Sequence, residues 1–256
     1  MKSSNPFSLE GKNILITGAS SGIGQQCAIS CNQMGARIIL IGRRKEKLIE
    51  TIGLLPFSNN IYYSFDVTNY QDIGSIIADA ATKTGPIHGF IHSAGIEYTL
   101  PLSLTKPTHY SELFATNVIA GFEFAKVISK KKYINKEGGS FVFISSVRGF
   151  LGEVAQTGYC SSKGALIAGT KALSLELAFK KIRVNCISPA QISGTEMTNK
   201  IFENSTEQNN SRKLDMYPLG YGETNDVANG CIFLLSDASK WITGTNLIID
   251  GGYSAR

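Results

Sequence analysis

The chain of 256 residues carries a formal net charge of +5, with 18% charged and 43% hydrophobic residues. This length suits one large α/β domain or two small ones, with enough apolar residues for a sizeable core. The mild charge, without a basic block, argues against nucleic acid or a membrane surface as partner. No apolar core typical of a signal peptide occurs in residues 1–12, and no apolar run approaches the ~20 residues of a membrane span.

The cysteines and histidines indicate neither a disulfide framework nor a metal site. The five cysteines form no CxxC pair, and their odd number is typical of a reducing cytoplasm, where we expect the protein. Cys27 and Cys31 could share a helix face, where we interpret them as small buried hydrophobic residues. His88, His92 and His109 lack zinc-ligand spacing, so no metal is predicted.

Short apolar runs rich in Ile and Val alternate with longer helical patterns along the chain. The predicted strands are Asn13–Thr17, Arg37–Ile41, Ile61–Phe65, Ile87–His92, Ser140–Ser145, Ile182–Ile187 and Asn246–Ile249. The predicted helices are Gly22–Met34, Lys45–Leu54, Tyr70–Thr82, His109–Tyr133, Gly158–Phe179 and Glu223–Leu235. Such strands are typical of a parallel sheet covered by helices on both faces. The pattern predicts an α/β fold, a Rossmann-type doubly wound parallel sheet of about seven strands, in a single domain over residues 1–256.

A polar segment at about residues 193–217 interrupts this alternation. It follows Pro189 and contains four asparagines, Asn199, Asn204, Asn209 and Asn210. Because binding elements concentrate at the carboxyl edge of such a sheet, we interpret the segment as a substrate lid; a surface loop without function is the alternative.

The first strand is followed by a glycine-rich loop that opens the first helix. Its sequence is Thr17-Gly18-Ala19-Ser20-Ser21-Gly22-Ile23-Gly24. Glycines allow a tight turn and close approach of a pyrophosphate, and a helix N-terminus offers N–H groups to it. The spacing is GxxxGxG and not GxGxxG, yet the strand–loop–helix context favours a dinucleotide site over a structural turn.

The second strand ends in two arginines, Arg43 and Arg44, where a site for NAD usually has an acid. A guanidinium matches the geometry of a phosphate group. The pair therefore favours NADP(H), with its 2′-phosphate, over NAD(H). The alternative is an exposed basic turn, since Lys45 and Lys47 are close by.

Tyr159 and Lys163 stand four residues apart on a predicted helix, and so share one face. A phenol with an ordinary pKa near ~10 is a poor acid or base at neutral pH, but a nearby ammonium lowers that pKa. The pair could then move a proton to or from an oxygen. A solvated helix edge is the alternative.

The glycine loop, the two arginines and the Tyr159-x-x-x-Lys163 pair together resemble the short-chain dehydrogenase/reductase family, in its single-domain branch. The resemblance covers nearly the whole chain and includes Ser146, thirteen residues before Tyr159. It implies a set of cofactor-binding residues: Gly18, Ser20, Ser21, Gly22, Ile23, Gly24, Arg43, Arg44, Asp66, Val67, Ser93, Ala94, Gly95, Tyr159, Lys163, Pro189, Ile192 and Thr195.

The resemblance also implies four catalytic residues. Tyr159 would be the general acid in reduction and the base in oxidation. Lys163 would lower the pKa of Tyr159 and hold the nicotinamide ribose. Ser146 would orient the substrate oxygen, and Asn117 would hold a water that connects Lys163 to solvent.

Three departures from the family pattern carry expectations of their own. His92 and Ser93 replace two asparagines, so the hydrogen bonds of those asparagines need other donors and acceptors. Ala190 replaces a glycine, so this turn must tolerate a Cβ. Thr195 stands one residue later than usual, after Gly194, and we expect its contact to the cofactor amide to shift.

The expected function is an NADPH-dependent carbonyl reductase or alcohol dehydrogenase, resembling 3-oxoacyl-[acyl-carrier-protein] reductases most. Reduction of another small keto, polyol or sugar substrate is the alternative. A catalytically silent dinucleotide-binding sensor or scaffold is an alternative of another class. A basic cluster could meet an acidic carrier protein or be a solvated helix end; it comprises Lys130, Lys131, Lys132, Lys180, Lys181 and Arg183.

By resemblance the protein should be a homotetramer or homodimer that pairs through the helices of Asn117 and Tyr159. Small residues on the latter helix would allow close approach, although packing within one chain would use the same residues. They are Gly164, Ala165, Ala168 and Gly169.

Overall fold

The computed structural model describes residues 5–198 and 214–255. Within these residues, the strands are β1 (Asn13–Thr17), β2 (Arg37–Gly42), β3 (Ile61–Ser64), β4 (Gly89–His92), β5 (Gly139–Ile144), β6 (Ile182–Pro189) and β7 (Asn246–Ile249). They form one sheet in the order β3-β2-β1-β4-β5-β6-β7, and every neighbouring pair is parallel. The predicted doubly wound sheet is confirmed.

Helices cover both faces of the sheet. They are α1 (Gly22–Gln33), α2 (Lys45–Gly53), α3 (Ile73–Thr84), α4 (Pro107–Phe114), α5 (Ala120–Ile128), α6 (Thr157–Leu177) and α7 (Thr224–Leu235). Successive strand residues point to opposite faces. Leu15 therefore packs in one core with residues of α3, α5 and α6, whereas Ile14 and Ile16 pack in a second core with residues of α1 and α7.

The strand order reverses between β1 and β4, which are neighbours in the sheet although two strands separate them in the chain. In open parallel sheets, ligands bind outside the carboxyl ends of the strands at such a switch point. Thr17 at the end of β1 lies opposite His92 at the end of β4. The loops that follow these two residues therefore start side by side.

The helix predicted for His109–Tyr133 is divided into three parts. Helix α4 begins at Pro107, a π-helical turn covers Ala115–Ile119, and α5 ends at Ile128. A π-turn occurs inside a helix and does not end it, so a prediction of helix does not separate the two forms. Such turns are frequent at functional sites, and this one contains the buried Asn117.

Strand β3 ends at Ser64, one residue before the predicted end at Phe65, so Asp66 and Val67 lie in the loop after the strand. The predicted lid at residues 193–217 falls mainly on residues 199–213, which lie outside the described residues. In the part of the chain that is described, no helix is long and apolar enough to cross a membrane.

The basic cluster lies away from the carboxyl edge of the sheet. Lys130–Lys132 and Lys180–Lys181 fall between the end of a helix and the start of the next strand, at the amino edge. Lys180 Nζ donates to Ser129 O at 3.1 Å. The guanidinium of Arg183 donates to the carbonyls of Leu234, Ser236 and Ile242 and is therefore used within the chain.

The interior of the sheet leaves no room for a side chain at Gly89. A Cβ there would lie 2.5 Å from Ile14 Cδ1 and 2.8 Å from Leu235 Cδ2. We expect Gly89→Ala to lower the free energy of unfolding by ~1–3 kcal/mol, measured by urea denaturation. Gly74→Ala in α3 is the matched control, because no atom lies within 4 Å of its added Cβ. It should be neutral or stabilising by up to ~1 kcal/mol; equal losses in both variants would contradict the steric account.

Candidate active site

A cleft of about 1450 Å³ runs along the carboxyl edge of the sheet. All of the residues predicted to bind the cofactor line it, from Gly18 in the first loop to Thr195 after β6. Ser146, Tyr159 and Lys163 line the same cleft. Asn117 does not line it but lies behind its wall, with no exposed surface.

The glycine-rich loop approaches the loop after β4 so closely that only glycine fits. Gly18 has a φ of +70°, and a Cβ there would lie 2.7 Å from Ala94 N. A Cβ on Gly24 would lie 2.3 Å from Gly18 O, so α1 starts directly against the loop. Backbone thus forms the cleft floor at the N-terminus of α1. This cradle fits a pyrophosphate, which needs backbone N–H groups and no intervening side chain.

The two arginines stand at the end of the cleft beside the glycine-rich loop. Arg44 Nη2 donates to Ser21 Oγ at 2.8 Å, and its Nη1 lies 2.7 Å from Glu196 Oε1. Asp66 lies nearby. Its partial burial would raise the pKa of the carboxyl group, but two hydrogen bonds from Thr68 and the charge of Arg43 outweigh this and lower the pKa.

His92, which replaces an asparagine of the family pattern, has a hydrogen-bond partner at each of its ring nitrogens. Its Nδ1 lies 2.9 Å from Thr17 Oγ1, and its Nε2 lies 3.2 Å from Thr116 O. A carbonyl only accepts, so we assign the proton to Nε2, and Nδ1 accepts from the Thr17 hydroxyl. Ala94 N donates to that same hydroxyl at 3.3 Å. The ring therefore links β1, β4 and the π-helical turn.

Burial keeps this imidazole neutral. His92 is 1% exposed, and burial, helped by the charge of Lys163, lowers its pKa from 6.5 to about 4. In this neutral form Nε2 donates to Thr116 O and Nδ1 accepts from the Thr17 hydroxyl.

Lys163 is a buried ammonium held by the end of β5. Its Nζ donates to Ile144 O at 2.8 Å, and the residue is 6% exposed. Burial lowers its pKa to about 8, opposed by the negative charges of Cys186 and Glu97 in their ionised forms. The Nζ lies 5.6 Å from the centre of the Tyr159 ring, so the predicted pair does meet on one face of α6.

The pKa of Tyr159 shifts opposite to the expected direction. Burial raises the phenol pKa well above its ordinary value, and the Glu97 carboxylate raises it further. A hydrogen bond with Ser146 lowers it by less. Ser146 is itself fixed, because its Oγ accepts from Arg148 N at 3.2 Å. Desolvation therefore dominates this pKa, and its lowering by Lys163 stays a prediction.

Asn117 holds the loop after β4. Its Oδ1 accepts from Ile96 N at 2.8 Å and its Nδ2 donates to Ile96 O at 3.0 Å. The Nδ2 also donates to Ser162 Oγ at 3.0 Å, on the helix of Tyr159. Asn117 therefore fixes one wall of the cleft against α6.

Ala190 and Thr195, which also depart from the family pattern, fit the backbone and the cleft without a clash. Ala190 does not belong to the residues with positive φ, so its Cβ causes no backbone strain. Thr195 lines the cleft beside the glycine-rich loop, and a Cβ on Gly22 would lie 3.6 Å from its side chain.

Glu97, Arg148 and Gln156 are among the polar residues of the cleft that sequence reasoning missed. Gln156 stands three residues before Tyr159, on the same side of the start of α6, and this spacing could have revealed it. Glu97 comes directly after the Ala94-Gly95-Ile96 segment. Its role depends on the path of a loop, which no periodicity predicts.

Comparisons with known proteins agree with this geometry. A family model described as enoyl-(acyl carrier protein) reductase matches residues 18–254. The 3-oxoacyl-[acyl-carrier-protein] reductase of Thermotoga maritima is 35% identical over 95% of this chain and 98% of its own. The L-xylulose reductase of Caenorhabditis elegans is 30% identical over 97% of this chain and 98% of its own.

Solved structures are similar over the whole chain. A candidate short-chain alcohol dehydrogenase from Sinorhizobium meliloti has a TM-score of 0.91 at 31% identity, covering 98% of this chain and 99% of its own. A candidate 2-deoxy-D-gluconate 3-dehydrogenase from Agrobacterium tumefaciens, solved with bound NADP, has a TM-score of 0.88 at 28% identity, covering 99% of this chain and 100% of its own.

The fold, the cleft and these relatives define the class of protein: an oxidoreductase that acts on alcohol or keto groups. The chain belongs to the short-chain dehydrogenase/reductase family, whose members bind a nicotinamide dinucleotide.

The burial of His92 should make stability depend on pH. The unfolded chain takes up a proton below pH 6.5, whereas the folded ring does so only near pH 4. The free energy of unfolding should therefore fall as the pH falls from 6.5 to 4, by about 3 kcal/mol from this group. The measurement is urea denaturation of wild type and His92→Asn between pH 4 and 8. The difference between them should be constant above pH 7 and shrink or reverse at lower pH; parallel profiles throughout would contradict the assignment.

Proposed function

We propose that the protein is an NADPH-dependent carbonyl reductase, equivalently an alcohol dehydrogenase. One observation carries the proposal: Ser146, Tyr159 and Lys163 line the same cleft as the glycine-rich loop. A carbonyl bound at the Ser146 and Tyr159 hydroxyls would thus share one cleft with a dinucleotide that extends to the loop after β1.

The cofactor would lie on the backbone cradle at Gly18 and Gly24, with its adenosine end beside Arg43 and Arg44. NADPH would supply the hydride to the carbonyl carbon. Arg44 already bonds a hydroxyl of the glycine-rich loop, so its guanidinium stands where a 2′-phosphate could replace the carboxylate of Glu196. Asp66 and Val67 would contact the adenine.

Tyr159 is suited to donate a proton to the carbonyl oxygen. A phenol is protonated at neutral pH, and burial and the Glu97 carboxylate raise its pKa further, so transfer of the proton would need a cation that stabilises the phenolate. Lys163, with a pKa of about 8, is mainly charged there and would stabilise the phenolate that remains after transfer. Ser146 would hold the same oxygen, and Asn117 would connect Lys163 to solvent through a water.

The relatives suggest two classes of substrate. Enzymes named 3-oxoacyl-[acyl-carrier-protein] reductase reach 34–35% identity, and an L-xylulose reductase reaches 30%. An acyl carrier would have to dock near the cleft. The basic cluster at the amino edge of the sheet is on the opposite side, so it gives no support to carrier docking.

We further propose a homodimer or homotetramer. At least one of the small residues of α6 packs within the chain and is not free for a second copy, because a Cβ on Gly169 would lie 2.4 Å from Phe122 Cζ. Large apolar side chains remain exposed nearby, with Leu175 78% and Phe179 80% exposed. A second copy packed on this side would cover them. Five free cysteines support a cytoplasmic location.

The proton-transfer role is tested with Tyr159→Phe. We expect a ~10²–10⁴-fold loss of kcat, measured as NADPH oxidation at ~340 nm with a panel of ketones, diketones and acyl thioesters. Tyr98→Phe, another tyrosine of the cleft, should stay within ~3-fold of wild type. If wild type binds NADPH tightly but no substrate consumes it, a silent sensor or scaffold replaces the enzyme as the better account.

The choice of cofactor is tested with Arg43→Ala and Arg44→Ala. Each should raise KM for NADPH ~10–100-fold and leave KM for NADH nearly unchanged, because a charge-assisted phosphate contact contributes ~1.5–3 kcal/mol. Lys45→Ala removes the same charge from the next position, outside the cleft, and should alter neither KM. An unchanged NADPH:NADH ratio of kcat/KM in both arginine variants would refute the assignment.

A further inference from the structure

A carboxylate and an amide meet in the cleft beside Tyr159. Gln156 Nε2 donates to Glu97 Oε1 and, at 3.1 Å, to Thr99 Oγ1. Thr99 Oγ1 donates to the same Glu97 oxygen at 3.1 Å. These bonds join the loop after β4 to the segment that starts α6, and Glu97, Thr99 and Gln156 all line the cleft.

The amide oxygen of Gln156 has no hydrogen-bond partner among the described residues, although the residue is only 8% exposed. The orientation of the amide is fixed chemically, because its Nε2 faces a carboxylate, which only accepts. A buried acceptor left unpaired costs ~1–3 kcal/mol. The amide is thus held in the wall of the cleft with a buried acceptor that no described residue pairs.

The charges around Glu97 select the kind of donor. Glu97 lies close enough to raise the pKa of both Tyr159 and Lys163 through its negative charge. Burial raises the pKa of Glu97; the hydrogen bond from Thr99 and the positive charges of Arg148 and Lys163 lower it by less, and Glu153 adds a second negative charge. The two cations already stand against two carboxylates, so the site does not call for a further cation. A neutral hydroxyl would find two acceptors, a carboxylate and an amide oxygen, and leave this balance of charge unchanged.

The backbone on both sides holds this pair in place. Ala155, directly before Gln156, has a φ of +63°, which is rare for a residue with a Cβ. Its carbonyl accepts from Leu100 N at 2.7 Å. Asn117 holds Ile96, directly before Glu97, by two hydrogen bonds. The two acceptors are therefore positioned before any substrate arrives.

From this geometry we infer that Glu97 and Gln156 form a hydroxyl-binding subsite, and that the substrate is a small ketone with hydroxyl groups next to its carbonyl. The inference rests on the proposed reductase function and names its substrate class. An apolar acyl chain at this position would desolvate the Glu97 carboxylate and leave Gln156 Oε1 unpaired. A site built to bond a hydroxyl rejects analogues that lack it strongly.

The test compares three substrates with NADPH: L-xylulose, pentan-2-one with the same carbon chain, and acetoacetyl-CoA as a thioester. Wild type should prefer L-xylulose over pentan-2-one by ~100-fold or more in kcat/KM. Glu97→Ala and Gln156→Ala should lower kcat/KM for L-xylulose ~10–100-fold, mainly through KM, and change pentan-2-one less than ~3-fold. Glu112→Ala, which removes another carboxylate of the cleft, is the matched control and should keep the wild-type preference.

The outcomes separate the two proposals. Preference of wild type for acetoacetyl-CoA or pentan-2-one, or an equal loss on all three substrates in Glu97→Ala, would overturn the subsite and leave the reductase standing. Oxidation of NADPH with none of the three substrates, and with none of the wider ketone and thioester panel, would overturn both. Thermal unfolding of each variant by circular dichroism shows that the comparison is made between folded proteins.

Discussion

A buried ammonium needs an acceptor, and the active-site side of this fold is arranged around that need. Lys163 Nζ bonds Ile144 O at the end of β5, and Ser145 Oγ bonds Lys163 O, each at 2.8 Å. These two bonds tie one turn of α6 to the sheet. The turn before it carries Tyr159, and the start of the helix carries Gln156. The acceptor that this buried charge requires therefore also helps to position Tyr159 and Gln156 beside the cleft.

The sheet could be predicted from the sequence because its strands are short apolar runs between turn residues. The bounds of β1 and β7 agree with the prediction residue for residue. The region from Pro107 to Ile128 could not be predicted in the same detail. A π-turn lies within a helix without ending it, so the sequence indicates one long helix where the chain forms α4, a π-turn and α5.

The candidate site likewise contains features that could be predicted from the sequence and features that could not. Residues whose role depends on local geometry, such as Gly18 with its positive φ, carry a signal in the sequence. The direction of the Tyr159 pKa carries none, because it depends on how much of the phenol the rest of the chain buries. Arg183 could not be placed either, since a long side chain at a strand start can reach solvent or fold back onto helix carbonyls, as it does here.

The imidazole of His92 also constrains the residue that faces it on α5. A Cβ on Gly121 would lie 2.6 Å from His92 Cδ2 and 3.0 Å from Phe143 Cε1. His92 and Gly121 can therefore be substituted in only one order. His92 can be replaced by the smaller asparagine usual in the family while Gly121 is unchanged, but Gly121 can be replaced by a larger residue only after His92 has been replaced. Among relatives, histidine at this position should be accompanied by glycine at the other.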